Sequence, residues 1–174
     1  MSQAPIRRRI TRAIRTLALA TIDAIFVVNF VFQVVRVDGF SMAPTLENHD
    51  RLIVDRLVYE FSDPRPGDVV TLYYPPDPGQ MYVKRLIAKE GDRVQIVDGR
   101  VLINDRPLDD DYVAPEYRDH DDWGPEVVRQ GYEFVMGDHR NRSSDSREWG
   151  LVPKRYILGK VMLRWWPLQD ARVF

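Results

Sequence analysis

Ser41 lies in a stretch that could present a catalytic hydroxyl. Gly39 leaves the backbone before it free to turn, and Pro44 biases Ala43 towards an extended conformation. Such a bend exposes a hydroxyl beside a backbone N–H, which is what a nucleophile with an oxyanion hole requires. Taken alone, Ser41 also fits an ordinary turn serine.

Lys84 is a candidate base for such a serine. In the strand predicted over 81–88, side chains alternate, so Lys84 shares a face with Tyr82 and Leu86. Loss of hydration on an apolar face lowers the pKa of an amine, and a neutral amine can activate a hydroxyl when no histidine is available. In isolation, a lysine that snorkels at a sheet edge explains the position equally well.

The segment 137–150 is a third candidate, because it concentrates glycine, acid, arginine and serine in one short run. A segment of this composition can form a tight, hydrogen-bonded loop with internal ion pairs, and one of its serines could hold a lysine amine. By itself it also fits a plain polar loop.

Other chemistries find little support in the composition. The chain has no cysteine, which excludes disulfides, thiolate metal sites and a cysteine nucleophile. His49, His120 and His139 form neither an HExxH motif nor a paired ligand spacing, so we expect no metal and no cofactor. A phosphate-cradling glycine loop is also absent.

The charge distribution points to a membrane and away from nucleic acid. Five arginines give the first fifteen residues +5, and since the whole chain carries −1, the remainder carries −6. Binding to a phosphate backbone needs clustered positive charge, which this acidic body lacks. The basic residues of the predicted tail, 1–16, directly precede the most apolar stretch.

That apolar stretch, 17–35, is predicted to be a single transmembrane anchor. As a helix of about 19 residues it would be roughly 28 Å long, close to the hydrocarbon thickness of a bilayer. The positive-inside rule places the arginine-rich end in the cytoplasm and residues 36–174 on the other side of the cell (inner) membrane. A cleavable signal peptide and a buried or surface-lying amphipathic helix are the alternatives.

The body of the chain predicts a mainly β, antiparallel domain. Short β-branched and aromatic runs alternate with Pro, Gly and Asp, and Asp98-Gly99 suits a two-residue hairpin turn. The acidic segment 109–126 shows no periodicity and is predicted to be a solvated loop. The predicted strands are 51–54, 69–74, 81–88, 93–97, 100–104, 133–136 and 157–165.

Four segments together resemble bacterial type I signal peptidases of the serine–lysine class. They are 38–46, 65–70, 82–87 and 137–150, in that order after a single hydrophobic segment, and the similarity runs from Gly39 to about Gly159. The Ser-Met-x-Pro-Thr-Leu run at 41–46 and the Gly-Asp-x-Arg-x-x-Ser-x-Asp-Ser-Arg-x-x-Gly run at 137–150 are highly specific in combination.

This resemblance implies a membrane-bound serine endopeptidase that removes signal peptides from secreted preproteins. It implies that Ser41 is the nucleophile and Lys84 the general base, with the Ser41 N–H as half of the oxyanion hole. Ser143 matches the serine that orients the lysine amine, and Asp145 and Arg147 match supporting residues of that loop. The implied fold is an antiparallel β-domain docked at the outer face of the membrane, in contact with its lipid.

The substrates implied by the resemblance are signal peptides with small residues at positions −3 and −1. Shallow apolar pockets would select these residues, and by position their lining would come from Val37, Met42, Leu46, Tyr82 and Val83. Two positions depart from the usual pattern. His139 stands where the family usually has Asn, and Gly39 where some members carry a hydroxyl that donates to the oxyanion.

Three other functions stay open at this stage. A specialised serine–lysine peptidase dedicated to one substrate would share the same motifs. A self-cleaving repressor of the SOS type would need a DNA-binding domain and an Ala-Gly bond, and this chain has no Ala-Gly dipeptide. A non-enzymatic, membrane-tethered β-domain would leave the co-occurrence of Ser41, Lys84 and Ser143 without a reason.

Overall fold

The computed structural model describes residues 4–174, except for the side chains at positions 4–11, 13, 24, 26 and 29. The basic tail predicted over 1–16 thus lies partly outside the described residues. The helices are α1 Ala4–Val31, α2 Val58–Phe61 and α3 Ser146–Trp149. The strands are β1 Phe32–Arg36, β2 Arg51–Asp55, β3 Val69–Tyr73, β4 Met81–Lys89, β5 Arg93–Val97, β6 Arg100–Ile103, β7 Arg106–Pro107, β8 Trp123–Val127, β9 Tyr132–Met136, β10 Val152–Pro153, β11 Ile157–Trp166 and β12 Arg172–Val173.

The predicted apolar anchor over 17–35 divides between two elements. Helix α1 ends at Val31, and the remaining residues form β1, which pairs antiparallel with β2. Val34 lies opposite Ile53 and Val35 opposite Leu52. The carboxyl end predicted for this helix was therefore wrong. The β-branched residues there form a strand instead, because β2, from a later part of the chain, pairs with them. Within residues 4–174, no helix is long and apolar enough to cross a membrane.

Two antiparallel sheets form the body of the protein. The larger sheet has the strand order β1-β2-β11-β3-β4-β9-β10, with β12 added beside β11. The smaller sheet has the order β7-β6-β5-β8. The predicted mainly β, antiparallel fold is confirmed, and each of the seven predicted strands is present with its ends shifted by at most one residue.

A hydrophobic cluster joins the two sheets. Ile87 of β4 and Phe134 of β9 pack with Val94 and Val101 of the smaller sheet, and all four are buried. Because the smaller sheet shares this core with β4, it is held directly against the strand that carries Lys84. A second cluster, around Leu46, Leu52, Val54, Val69 and Val161, lies on the side of β1 and β2.

The acidic segment 109–126 is more ordered than its sequence predicts. Strand β8 begins at Trp123 and pairs with β5, and Asp110 is buried rather than solvated. Gly124 and Pro125 interrupt any strand pattern in the sequence, so only pairing with β5 defines this strand. Asp98 and Gly99, both at positive φ, form the predicted turn between β5 and β6.

Candidate active site

Ser41 lies in a tight turn between β1 and β2. Gly39 has φ +111, a conformation that favours glycine, and its N–H donates to Asn48 Oδ1. The Ser41 carbonyl accepts a hydrogen bond of 3.1 Å from the backbone N–H of His139, so this turn is tied to the segment 137–150. Among the described residues, no acceptor is paired with the Ser41 N–H. That N–H is therefore available to an oxyanion.

Lys84 lies in the middle of β4, between β3 and β9, and is only 2% exposed. Its Nζ donates a hydrogen bond of 2.9 Å to Ser143 Oγ and lies 5.6 Å from the centre of the Tyr82 ring. Arg85 contacts different partners, since Arg85 pairs with Asp138 on the other side of the strand. The alternation expected for β4 thus places the amine where the sequence predicts it.

Burial lowers the pKa of the Lys84 amine to about 8. Desolvation is the largest cause. The nearby Asp145 carboxylate opposes it, the Arg147 guanidinium lowers the pKa further, and Asp138 raises it. About half of the amine is therefore neutral at about pH 8, and the neutral form is the one that a general base requires.

Gly137 brings the Ser41 turn and Ser143 close together. A Cβ atom at position 137 would lie 2.2 Å from Ser143 Oγ and 2.3 Å from the Ser41 carbonyl oxygen. Real Cβ atoms do not approach other atoms this closely, so any larger residue would push these groups away. The glycine at the start of the segment is therefore required by its packing between the two serines.

Asp145 and Arg147 hold the segment 137–150 in shape. The Asp145 carboxylate is buried and accepts hydrogen bonds from the Gly137 N–H at 3.0 Å and from Arg147 Nε at 2.8 Å. Arg147 Nη2 also donates to the carbonyl oxygens of Arg140 and Ser143. One buried ion pair thus fixes the backbone on both sides of Ser143.

Ser41 and Lys84 line the same surface cavity, whose volume is about 540 Å³. Of the residues predicted to form substrate pockets, four also line it: Val37, Met42, Tyr82 and Val83. Leu46 does not line this cavity. It is fully buried and packs with Leu52 and Val54, because it belongs to the core cluster beneath the Ser41 turn.

Sequence reasoning missed the buried ion pair between Arg85 and Asp138. Arg85 donates from Nε to Asp138 Oδ1 at 2.8 Å and from Nη2 to Oδ2 at 2.6 Å. This bidentate pair joins β4 to the start of the segment 137–150, next to Lys84 and Gly137. The available signal was the charged residue beside each motif position: Arg85 follows Lys84, and Asp138 follows Gly137 at the start of the segment 137–150.

His139 connects the two candidate catalytic segments through its side chain as well. Its Nδ1 lies 3.0 Å from the Phe40 carbonyl oxygen, and its ring makes an edge-on contact with Tyr117.

Arg142 and Ser144 line the cavity from the same segment and were not predicted. In the part of the chain that the structure describes, no cluster of three His, Asp or Glu is placed to hold a metal ion.

Comparisons with known proteins identify the family. The family described as "Signal peptidase, peptidase S26" matches residues 10–166. Signal peptidase I of Leptolyngbya laminosa is 39% identical over 165 residues, covering 89% of this chain and 79% of that protein. Signal peptidase I S of Bacillus subtilis (strain 168) is 34% identical over 168 residues, covering 91% and 90%.

A solved structure is also similar. The crystal structure of a signal peptidase I from Enterococcus faecalis V583 superposes with a TM-score of 0.52 at 29% identity, covering 58% of this chain and 98% of that one. The resemblance drawn from the four sequence segments is confirmed by both kinds of relative. The chain therefore belongs to the signal peptidase family, peptidase S26.

Proposed function

We propose that Ser41 and Lys84 carry out the signal-peptide cleavage that membership of this family assigns to the protein. The activity, a serine endopeptidase that removes signal peptides, follows from the family and its relatives. The assignment of roles rests above all on one observation. A buried lysine amine of lowered pKa, hydrogen-bonded to a serine, shares a cavity with a second serine in a tight turn.

In the acylation step, Ser41 Oγ attacks the scissile carbonyl carbon while Lys84 Nζ takes the hydroxyl proton. The Ser41 N–H donates a hydrogen bond to the carbonyl oxygen, on which negative charge develops. Lys84 then returns the proton to the leaving amine, and the C–N bond breaks. Water, deprotonated by the same amine, releases the signal peptide from Ser41 and restores the hydroxyl.

Ser143, Asp145 and Arg147 support this reaction without forming bonds to the substrate. Ser143 Oγ accepts a hydrogen bond from Lys84 Nζ, which limits the directions in which the amine can point. Asp145 and Arg147 fix the backbone of Ser143. Since a misplacement of about 1 Å can cost about a hundredfold in rate, the hydrogen bonds that hold Ser143 in place support the proton transfer.

The substrate is a secreted preprotein whose signal peptide ends in small residues at −3 and −1. Val37, Met42, Tyr82 and Val83 give the cavity beside Ser41 an apolar lining. Buried Met42 and largely buried Val37 leave only a shallow surface for substrate side chains. A bulky side chain next to the scissile bond would be excluded by that lining.

We further propose that residues 1–31 attach the enzyme to a membrane, with a cytoplasmic amino terminus and the β-domain on the opposite side. The support is the basic tail and the apolar side chains that α1 exposes, among them Leu17, Ile22 and Phe30. Residues 32–35 of the expected single pass lie in β1 and so belong to the β-domain. Alkaline extraction of membranes that contain the protein tests the attachment: release into the supernatant contradicts a spanning anchor.

Cleavage of a test preprotein in detergent or liposomes examines the proposed roles. We expect wild type to release the mature protein at a small-x-small site and Ser41→Ala and Lys84→Ala to be inert. Lys89→Ala is the matched control, because Lys89 is exposed at the end of the same strand. It should cleave like wild type.

Two results would contradict the proposal. Full activity in Ser41→Ala removes the nucleophile from the mechanism. Equal loss of activity in Lys84→Ala and Lys89→Ala shows an effect of charge rather than of a specific base. Exhaustive chelation should leave the rate unchanged, and a loss of rate would show that a metal takes part.

A further inference from the structure

The acidic segment between β7 and β8 makes direct contact with the loop that carries Ser143. Two of its carboxylates pair with arginines of that loop. Asp110 Oδ2 accepts from Arg140 Nη1 at 3.0 Å, and Asp119 Oδ2 accepts from Arg147 Nη1 at 2.9 Å. These two ion pairs tie the acidic segment to that loop.

Arg147 is the residue through which such a pairing can reach the catalytic amine. Its Nε and Nη2 donate to the two oxygens of the Asp145 carboxylate, and Nη2 also donates to the Ser143 carbonyl oxygen. Asp119 engages the remaining terminal nitrogen, Nη1. The side chains of Arg147 and Asp119 are 14% and 25% exposed, so their ion pair is sheltered from screening by water.

Asp119 is itself held in place by the smaller sheet. The turn at Gly99, at φ +71, packs so closely that a Cβ there would lie 1.7 Å from the Asp119 carbonyl oxygen. The Asp98 N–H also donates to Asp122 Oδ1 at 2.7 Å. The other oxygen of the Asp119 carboxylate accepts from the backbone N–H groups of His120 and Asp121. The carboxylate therefore points towards Arg147 before any substrate binds.

We propose that Asp119 is a positioning residue for signal-peptide cleavage, acting through Arg147 on the Ser143 loop and so on the Lys84 amine. This inference rests on the proposed roles of Lys84 and Ser143. It gives the smaller sheet a function in the reaction: the hairpin between β5 and β6 seats Asp119, and Asp119 restrains the arginine that fixes Ser143. Trp123 of β8 adds a second contact, from its Nε1 to the Arg147 carbonyl oxygen.

The test compares three variants on the same preprotein, with kcat and KM measured separately. Asp119→Asn keeps the shape and removes the charge, and Asp119→Glu restores the carboxylate. Asp121→Asn is the matched control, since its exposed carboxylate has no hydrogen bond or ion pair with the described residues. Wild type and Lys84→Ala run in the same assay.

We expect Asp119→Asn to lower kcat about tenfold with little change in KM, because a displaced amine slows proton transfer more than substrate binding. Asp119→Glu should recover most of that loss, and Asp121→Asn should match wild type. The groups that face Lys84 are Ser143, Tyr82, Asp138, Asp145 and Arg147. Displacement of Arg147 changes the surroundings of the amine, so the midpoint of the rise of kcat with pH should move in Asp119→Asn and stay in place in Asp121→Asn.

Equal kcat in Asp119→Asn and Asp121→Asn would overturn the inference. The inference also fails if the loss of kcat in Asp119→Asn merely tracks a loss of folded protein in circular dichroism, with an unchanged pH profile. Neither result touches the proposed function, which fails if wild type is inactive, if Ser41→Ala or Lys84→Ala retains cleavage, or if Lys89→Ala loses as much activity as Lys84→Ala.

Discussion

Lys84 Nζ and Ser143 Oγ are joined by a hydrogen bond of 2.9 Å across 59 positions of sequence. The bond connects the centre of β4 to the middle of a polar loop, and the loop is fixed by Asp145 and Arg147. Because Lys84 is buried, the serine hydroxyl replaces part of the hydration that the amine has lost. The pair thus holds the Lys84 amine at a defined point in the cavity.

Replacing Ser143 with alanine removes the partner of Lys84 Nζ. We expect kcat/KM to fall by about tenfold to about a hundredfold, because the amine gains rotational freedom and is no longer held in one direction. Steady-state kinetics on a preprotein measures the change. Ser62→Ala, which removes an exposed hydroxyl bonded to the Val58 carbonyl, is the control and should leave the rate unaltered.

Gly137→Ala should separate Ser143 from the Ser41 turn. The added methyl group would lie 2.2 Å from Ser143 Oγ, so the loop or the turn must move. A loss of kcat/KM of about a hundredfold or more is expected, with folded protein still present. Gly79→Ala is the control, since its new methyl would meet only the flexible Asp77 side chain at 3.1 Å. Comparable activity in the two variants would show that the close packing at Gly137 is dispensable.

The pH dependence of cleavage should follow the titration of Lys84. With a pKa of about 8, the amine is protonated in acid and becomes a base as pH rises, so kcat/KM should increase through about pH 8 and then level off. Measuring the profile from about pH 6 to about pH 10 tests this assignment. A flat profile would count against Lys84 as the base.

The same shift predicts that Lys84 lowers stability near neutral pH. Its folded pKa of about 8 lies below the ordinary 10.5, so the unfolded chain binds more protons between these values and stability rises across that interval. Lys84→Met should therefore be inactive but more stable than wild type at pH 7. We expect its free energy of unfolding to be larger by roughly 1 to 3 kcal/mol, with a higher unfolding temperature. The gain should shrink as pH approaches the ordinary lysine pKa. Thermal unfolding as a function of pH measures both, and a less stable Lys84→Met contradicts the argument.

Breaking the Arg85–Asp138 pair should destabilise the protein strongly. Asp138 is fully buried and Arg85 nearly so, so Asp138→Asn leaves a buried guanidinium without its counter-charge. We expect a loss of about 3 kcal/mol in the free energy of unfolding, measured with urea. Asp63→Asn removes one partner of the exposed Lys154–Asp63 pair and should unfold close to wild type. Similar midpoints for the two variants would show that Asp138 is not needed for stability.

Glu133 gives a second pH-dependent contribution, far from the reaction. Desolvation raises the pKa of this buried carboxyl to about 7, and among the described residues its Oε2 has no hydrogen-bond partner. The folded state therefore binds the proton more tightly, and stability is lost as pH rises from the ordinary glutamate range through about 7. Glu133→Gln should stabilise the protein at pH 8 by about 1 kcal/mol, with no gain in acid. Glu60→Gln, at an exposed position, is the control in the same thermal scans, and an equal effect of both variants would contradict the burial argument.

The sequence alone determined seven of the strands, the family and the choice of the two candidate catalytic residues. Alternating apolar residues in β4 predict which way Lys84 points, and the Asp98-Gly99 turn predicts a hairpin, because both are local consequences of backbone geometry. The specific runs at 41–46 and 137–150 were enough to identify the family, since their residue types recur at fixed spacing.

Tertiary structure decided the features that depend on distant partners. Phe32–Arg36 becomes a strand because β2 pairs with it, Leu46 is buried in the core beneath the Ser41 turn, and β8 exists only through its pairing with β5. In the sequence, Asp119 is one of several acidic residues of the segment 109–126, and only the structure shows its ion pair with Arg147. Hydrogen bonds, ion pairs and burial join residues far apart in sequence, and no local pattern specifies which of many similar side chains will be joined.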